Sequence, residues 1–509
     1  MQGGREHTVS HRLSMGTKRR SSCFPRAVAG IPLSLSLIIV QETDVSLMEM
    51  SKRQKPVNTG RATLADWEAF CAANPDIAYL DAVFSDQMGT VRGKRLPVAE
   101  ADKIFTQGLQ VPVSVYFLDA TGVNEDVLGR GFSDGDPDGT MFPLADTLAR
   151  VPWAEDQAQV LMTMEMPQGG ECDIEPRNVL KRVKSRLAAS GINAVTAVEF
   201  EFYLFDNEAD EEGLPQPPIN PKTGERETAN QVFGLDALEG FSDLLRDIDE
   251  FSTCLNVPAS AAVAEFAPGQ YEINLNHVDD VMKAGDHGIL LRYLISAAAR
   301  QHSFYASFMA KPYLDETGSG CHIHASMLDD KGVNIFDNGD EDGTDLLRYA
   351  IGGLRALLPA SMAILAPNVN SYRRFGPNMF VPVNGAWGYN NRSVAFRVPM
   401  GSTDARRVEH RIAGADVNPY LALAVVLAGI HYGIENQIDP GEPTTDNASG
   451  FVDPELPLTM RRALEVFSES EIMRDYLGDT FVNMYAETRR LEYEKFLRII
   501  STREYEWYL

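Results

Sequence analysis

The chain has 509 residues and a formal net charge of −26, which argues against a nucleic-acid partner, because binding phosphates requires clustered lysine and arginine. Its hydrophobic fraction of 44% suffices for a large core, and its length favours about two to four domains. The five cysteines form no CxxC pair, which is typical of a reducing cytoplasm and not of a disulfide framework or zinc ribbon. We therefore expect a cytoplasmic globular protein.

The first fifty residues differ from the rest of the chain. A basic triplet at residues 18–20 precedes an apolar run at residues 31–40, an order that is typical of a signal peptide. No small-residue cleavage site follows, and the run is too short to span a membrane. We interpret residues 1–55 as a disordered or non-native extension, with the working protein starting near Met50 and no membrane partner. An export signal is the alternative.

Helix and strand patterns begin after residue 60. Thr63 opens a predicted helix over residues 64–71, because its side chain suits an N-cap position. Two strands are predicted over residues 77–84 and 90–96, separated by turn residues. Together they predict a small N-terminal α+β domain over residues 60–160.

A second, larger domain is predicted over residues 165–509. Its first helix has Pro176 in the first turn and stops at Gly191, after which a strand follows over residues 194–205. The polar stretch at residues 206–228 is typical of an exposed loop. Helices and short strands then alternate, and further helices are predicted near the C-terminus, at residues 461–467 and 480–500.

Paired carboxylates mark the strand at residues 194–205. Side chains alternate between faces along a strand, so Glu199 and Glu201 share one face and Phe200 and Phe202 share the other. Two carboxylates backed by apolar packing are costly unless a cation lies between them. For this pair alone, a solvated strand face explains the pattern equally well.

Similar alternation of polar and apolar residues recurs in three later segments. Together the four strands place several carboxylates and one or two imidazoles on faces whose opposite sides are apolar. Mg²⁺ and Mn²⁺ prefer oxygen ligands with an occasional imidazole, whereas zinc and iron–sulfur centres do not. The sequence therefore predicts a divalent-metal site. The later segments supply Glu265 and Glu272, then His322 and His324 with Ser326 on the same face, then Glu409 with Arg407 and Arg411 on the same face.

Arginines follow the acidic segments. A guanidinium group binds carboxylate or phosphate through two parallel hydrogen bonds, and for any single arginine a surface ion pair is the simpler explanation. Metal ions with several arginines are what phosphoryl transfer requires, because both offset charge on the transferring phosphate. The candidates are Arg374, Arg392, Arg397, Arg407 and Arg411.

In this order, the segments resemble glutamine synthetases of the bacterial class I type over roughly residues 60–509. The segments are AVEFEFYLF, AEFAPGQYEI, FMAKPYLDETGSGCHIHAS, NSYRRFGP, NNRS and ARRVEHRIAGADVNPYLALA. The resemblance implies an α+β fold, with an N-terminal β-grasp domain and a larger α/β catalytic domain containing an antiparallel, metal-lined sheet. It also implies a homo-oligomeric ring, a dodecamer of two hexamers, with active sites between neighbouring subunits.

The resemblance also assigns roles. The substrates are ATP and glutamate: γ-glutamyl phosphate forms first, and an amine then displaces phosphate. Two or three Mg²⁺ or Mn²⁺ ions are implied per active site. Glu201, Glu265 and Glu272 would hold the first metal, and Glu199, His322 and Glu409 the second; Arg374, Arg411 and Gly318 would bind glutamate, Arg392 and Arg397 would face the transferring phosphate, and His324, Ser326 and Arg407 would lie near the nucleotide.

Departures from the family pattern concern ammonia. The flap glutamate that closes over the ammonium site aligns with Phe380, and the segment that supplies an interface aspartate reads QVPVS at residues 110–114. The asparagine that helps orient glutamate is Thr317, and the tyrosine adenylylated in some members falls on Ser449. These changes favour a glutamate–amine ligase, with Phe380 lining the amine site. An ammonia-using glutamine synthetase and a non-catalytic relative are the alternatives.

Overall fold

The computed structural model describes residues 60–340, 342–377 and 379–509. The predicted extension at residues 1–55 lies outside them. Two β-sheets and the helices packed on them make up this part of the chain, which confirms the predicted α+β class. None of the helices there is both long and apolar enough to cross a membrane.

The smaller sheet has six strands, in the order β2-β1-β6-β4-β3, with β5 paired to β6. Strand β1 runs parallel to β6, and the other pairs are antiparallel. The strands are β1 (Tyr79–Ser85), β2 (Val91–Pro97), β3 (Leu109–Pro112), β4 (Asp138–Pro143), β5 (Ala149–Arg150) and β6 (Gln157–Glu165), and the helices beside them are α1 (Leu64–Ala73) and α2 (Val98–Gln107).

Helix α1 begins where the sequence predicts. The Thr63 side chain accepts a hydrogen bond from the Asp66 backbone N–H, and the Asp66 carboxylate accepts one from the Thr63 backbone N–H. This reciprocal capping box satisfies N–H groups that have no partner within the helix. The helix continues past the predicted end at residue 71 to Ala73, and the two predicted strands begin two residues and one residue later than expected.

The larger sheet has eight strands in the order β12-β13-β14-β11-β7-β9-β8, with β10 paired to β7. All pairs except β12–β13 are antiparallel, as expected for the catalytic sheet. The strands are β7 (Asn193–Asp206), β8 (Ala259–Ala264), β9 (Gln270–Leu275), β10 (Phe304–Ser307), β11 (Cys321–Leu328), β12 (Trp387–Tyr389), β13 (Phe396–Val398) and β14 (Val408–His410).

Helices cover one face of the larger sheet and leave the other free for the site. Phe200 and Phe202 of β7 are fully buried in the core that these helices share with the sheet, as the alternation predicted. The helices of this part are α3 (Pro176–Ala189), α4 (Leu235–Gly240), α5 (Ser242–Cys254), α6 (Val281–Gln301), α7 (Asp345–Leu365), α8 (Pro419–Asn436), α9 (Met460–Glu469), α10 (Glu471–Leu477), α11 (Asp479–Leu497) and α12 (Thr502–Tyr508).

Most predicted elements of the larger part are present with small shifts. Helix α3 starts at Pro176, and the strand predicted over residues 194–205 extends one residue at each end. The predicted helix over residues 480–500 is wrong at its end, because α11 stops at Leu497 and α12 begins separately. The division into domains at 60–160 and 165–509 stays a prediction; strand β6 runs through residue 160.

Candidate active site

Strand register brings the acidic residues of distant segments together. On β7, Glu201 lies opposite Glu272 of β9, and Glu199 lies opposite His322 of β11. Side chains directly opposite each other on neighbouring strands have Cβ atoms about 4.5–5.5 Å apart. Because strand β7 lies between β9 and β11, it gathers carboxylates and imidazoles on one face of the sheet.

Glu201, Glu265 and Glu272 form one acidic group. One ligand oxygen from each lies within 4.8 Å of the others. Burial raises the pKa of Glu265 to about 7, with Glu201 adding to the effect, and burial and the neighbouring carboxylates raise the pKa of Glu272 to about 9. Buried carboxylates that repel one another in this way fit a divalent cation, whose charge would remove the repulsion.

Hydrogen bonds fix the carboxylates of this acidic group in place. The Gly320 N–H donates to Glu201 Oε2 at 2.8 Å, and the Asn274 amide donates to Glu272 Oε1 at 3.1 Å. Donors of this kind orient a ligating carboxylate before the ion binds. The geometry therefore brings together the three residues expected at the first metal.

Glu199 joins two further groups, one with His322 and Glu272 and one with His324 and Glu409. The expected trio of Glu199, His322 and Glu409 is thus split, since Glu409 groups with His324. The His324 Nε2 lies 3.1 Å from Glu199 Oε1, and the His322 Nδ1 lies 3.5 Å from Glu199 Oε2. Burial alone would raise the pKa of Glu199, but His324 and His322 hold it well below its usual range.

Two of the candidate arginines pair with Glu409. The Arg397 Nη1 lies 2.8 Å from Glu409 Oε2, and Arg411 pairs with the other oxygen. Burial would raise the pKa of Glu409, but His324, the two arginines and His322 lower it to about 2. Glu409 is therefore a fixed negative charge that positions both guanidinium groups.

Arg374 is buried beside the GSG segment. Its Nη1 donates to the Ile412 carbonyl at 3.1 Å, and its stem packs on Gly318. A Cβ at Gly318 would lie 2.8 Å from Arg374 Cγ and 2.7 Å from the Ala310 carbonyl oxygen, so only glycine fits there. Within the described residues, the buried Nε atoms of Arg374, Arg397 and Arg411 have no hydrogen-bond partner, which suits anion binding.

The residues expected near the nucleotide divide into two sets. Arg407 Nε donates to His324 Nδ1 at 3.1 Å, so these two lie together beside Glu199. Ser326 is 1% exposed, and its hydroxyl donates to the Arg406 carbonyl at 2.8 Å. The Ser326 hydroxyl therefore holds the backbone immediately before Arg407 in place.

Arg392 and Phe380 lie at the exposed rim of the site. Arg392 is exposed, and its positive charge acts on Glu265. Phe380 is 74% exposed, and its ring contacts that of Phe266, with centroids 6.2 Å apart. An exposed phenyl ring thus occupies the position that the resemblance assigns to the flap glutamate.

Two residues of the site were not predicted from the sequence. The Gln270 amide donates to Glu201 Oε2 and to the Gly318 carbonyl, and so links the acidic group to the GSG segment. Half-buried His277 packs edge-on against His324, with ring centroids 5.7 Å apart. Gln270 lies two residues before Glu272, so strand alternation is a signal that places it on the same face.

The raised pKa values of Glu265 and Glu272 in the acidic group predict how the stability of the metal-free protein depends on pH. Because the folded-state pKa values of Glu272 and Glu265 are raised to about 9 and about 7, these two carboxylates bind more protons in the folded protein than in the unfolded chain. Histidines with pKa values lowered by burial, such as His277 and His410, have the opposite effect below about pH 6.5. The free energy of unfolding of the metal-free protein should therefore fall as pH rises from about 7 to about 9. Thermal denaturation in chelator and in Mn²⁺ checks this, and the stabilisation by Mn²⁺ should be larger at about pH 8.5 than at about pH 6.

Glu272→Gln provides the control for that experiment. The amide cannot ionise, so the variant in chelator should lose less stability over this pH range than the unmodified protein does. A metal-free protein that becomes more stable as pH rises over the same range would contradict the prediction.

Carboxylate groups suited to divalent cations, bordered by arginines with free Nε–H donors, are the arrangement that metal-dependent phosphoryl transfer requires. Residues 173–508 match the model of the glutamine synthetase catalytic domain. The chain belongs to the glutamine synthetase family. Members of this family depend on ATP and divalent metal, so the chain is an ATP-dependent glutamate ligase that forms a carbon–nitrogen bond and takes small-molecule substrates.

Several relatives are similar over most of their length. The chain is 41% identical to gamma-glutamylputrescine synthetase of Escherichia coli K12, over 92% of this chain and 99% of that protein. It is 33% identical to glutamate–isopropylamine ligase of a Pseudomonas species, over 86% and 95%. A solved structure of a GmaS/ADP complex matches with a TM-score of 0.75 and 25% identity, over 87% of this chain and 99% of that one.

Proposed function

We propose that this enzyme joins the γ-carboxylate of glutamate to a primary alkyl amine or polyamine. The observation that carries the proposal is Phe380, an exposed apolar side chain where an ammonia-using relative is expected to have a glutamate. The similarity to gamma-glutamylputrescine synthetase and glutamate–isopropylamine ligase supports it, because both names specify an amine as nucleophile.

The proposed reaction has two steps. A γ-carboxylate oxygen of glutamate attacks the γ-phosphorus of ATP, the bond to the bridging oxygen breaks, and ADP leaves. The amine nitrogen then attacks the acyl carbon of γ-glutamyl phosphate, inorganic phosphate leaves, and the nitrogen loses a proton. Arg374 and Arg411 bind glutamate beside Gly318, while Arg397 and Arg392 offset the charge of the transferring phosphate.

Mg²⁺ or Mn²⁺ is the cofactor in this proposal, at two or three ions per active site. Bound ions would offset phosphate charge and polarise the γ-phosphoryl group. Glu201, Glu265 and Glu272 hold one ion, and Glu199 and His322 hold another together with Glu409. In the structure Glu409 groups with Glu199 and His324, so His324 is an alternative ligand for the second ion.

ATP binds next to the second ion in this proposal. His324 and Arg407 lie together there, and Ser326 supports the backbone beneath them. We also propose that the enzyme works as a homo-oligomeric ring, a dodecamer of two hexamers, which the family resemblance implies. Size-exclusion chromatography with light scattering tests that assembly.

An amine panel tests the nucleophile. Purified enzyme with ATP, Mg²⁺ and glutamate should show a kcat/KM for at least one primary amine at least about tenfold above that for ammonia. Burying a CH₂ group contributes about 0.8 kcal/mol, so a four-carbon chain favours the amine by roughly a hundredfold. Phosphate release measures the rate for each nucleophile.

Phe380→Glu is the diagnostic variant for the same panel. A carboxylate there provides an anionic partner for ammonium and removes the apolar surface, so the preference should move towards ammonia. If ammonia proves the best nucleophile of the unmodified enzyme across a broad panel, the proposal fails and the chain is an ammonia-using glutamine synthetase.

A further inference from the structure

Two exposed phenyl rings lie side by side at the rim of the active site. Phe266 is 38% exposed and Phe380 is 74% exposed, and their rings meet at an interplanar angle of 48°. Most of the area of Phe380 therefore remains accessible, so the folded core does not account for the position of this ring. We name Phe266 and Phe380 the aromatic pair.

Chain connectivity fixes the aromatic pair beside the acidic group. Glu265 directly precedes Phe266, and consecutive Cα atoms lie about 3.8 Å apart. The Glu265 carboxylate in turn lies within 4.8 Å of ligand atoms of Glu201 and Glu272. The backbone of Phe266 therefore lies next to the acidic group, and its ring contact brings Phe380 to the same rim.

Residues 231–235 add a second apolar wall at the same rim. The Gln231 N–H donates to the Phe266 carbonyl at 3.3 Å, and the Phe233 N–H donates to the Ala264 carbonyl at 2.9 Å. These bonds place the backbone of Val232 and Phe233, which are 45% and 73% exposed, beside residues 264–266. Exposed apolar side chains that border a polar site are typical of a ligand-binding surface.

We propose that the aromatic pair binds the carbon chain of the amine and sets the chain-length preference of the enzyme; this inference rests on the proposed function. Ammonia has no carbon to contact the rings, whereas each buried CH₂ of an alkyl amine should raise kcat/KM about fourfold. A second ammonium group on the chain is attracted to the faces of the rings. The preferred substrate class is therefore an unbranched primary amine or diamine.

A series of n-alkylamines from methylamine to pentylamine, with ammonia and 1,4-diaminobutane, tests the inference. In the unmodified enzyme log kcat/KM should rise with chain length. In Phe266→Ala and in Phe380→Ala the slope should flatten, with at least a tenfold loss for pentylamine. The kcat/KM for ammonia and the KM values for ATP and glutamate should change less than about threefold.

Tyr305→Ala is the matched control, since Tyr305 is an exposed aromatic residue, 54% accessible, on strand β10. It should keep the slope of the unmodified enzyme. If that enzyme prefers long amines and both pair variants keep its slope, the aromatic pair is not the chain site although the proposed function stands. The inference is also overturned if the main effect of Phe266→Ala and Phe380→Ala is that the subunits no longer assemble. Ammonia as the best nucleophile of the unmodified enzyme overturns the proposed function itself.

Discussion

Glu201→Ala should lower kcat at least about a thousandfold, since it removes one of three carboxylates from the acidic group. Metal ions contribute several kcal/mol of transition-state stabilisation in phosphoryl transfer, and each 1.4 kcal/mol is about tenfold in rate. Glu201 also receives hydrogen bonds from the Gly320 N–H and Gln270, so no neighbouring carboxylate replaces its geometry. Steady-state phosphate release with saturating ATP, glutamate and amine measures the effect.

Folding should survive this substitution. Removing one of three mutually repelling carboxylates relieves electrostatic repulsion, which offsets the loss of the hydrogen bond from Gly320. The unfolding temperature of the metal-free variant should therefore stay close to that of the metal-free unmodified protein. The stabilisation by added Mn²⁺, about 2.7 kcal/mol at a concentration of 100 Kd, should shrink. Glu208→Ala, at an exposed position after strand β7, is the control. Near-normal activity of Glu201→Ala with Mg²⁺ would remove Glu201 from the metal site.

Arg397→Ala should lower kcat about a thousandfold with little change in the KM for glutamate. Its guanidinium bonds to Glu409 Oε2 and to the Asn390 side chain, while its Nε has no partner among the described residues. An arginine that stabilises the charge of a transferring phosphoryl group contributes about 10³–10⁵ in rate. Arg411 still pairs with Glu409 in the variant, which limits the cost to folding.

Two further variants separate charge from geometry at this position. Arg397→Lys keeps the positive charge but loses the planar fork, so it should recover only part of kcat. Arg373→Ala removes an exposed arginine next to Arg374 and should leave kcat and KM near normal. A large rise in the KM for glutamate with unchanged kcat in Arg397→Ala would assign Arg397 to substrate binding instead.

The sequence by itself determined which side chains share a face. Alternation along residues 194–205 placed Glu199 and Glu201 together and Phe200 in the core, because side chains of a strand alternate strictly and one face must be apolar. The N-cap residue Thr63 likewise located the start of α1, and Pro176 in a first turn located the start of α3. These features depend on neighbouring residues, so a single sequence suffices to predict them.

Only the tertiary structure decided which residues of different segments meet. Strand order and register placed Glu409 against His324, and they held Arg397 and Arg411 on one carboxylate. The contact between Phe266 and Phe380 also joins segments that are distant in the chain. No local pattern encodes such pairings, because they follow from the packing of the whole sheet and its loops.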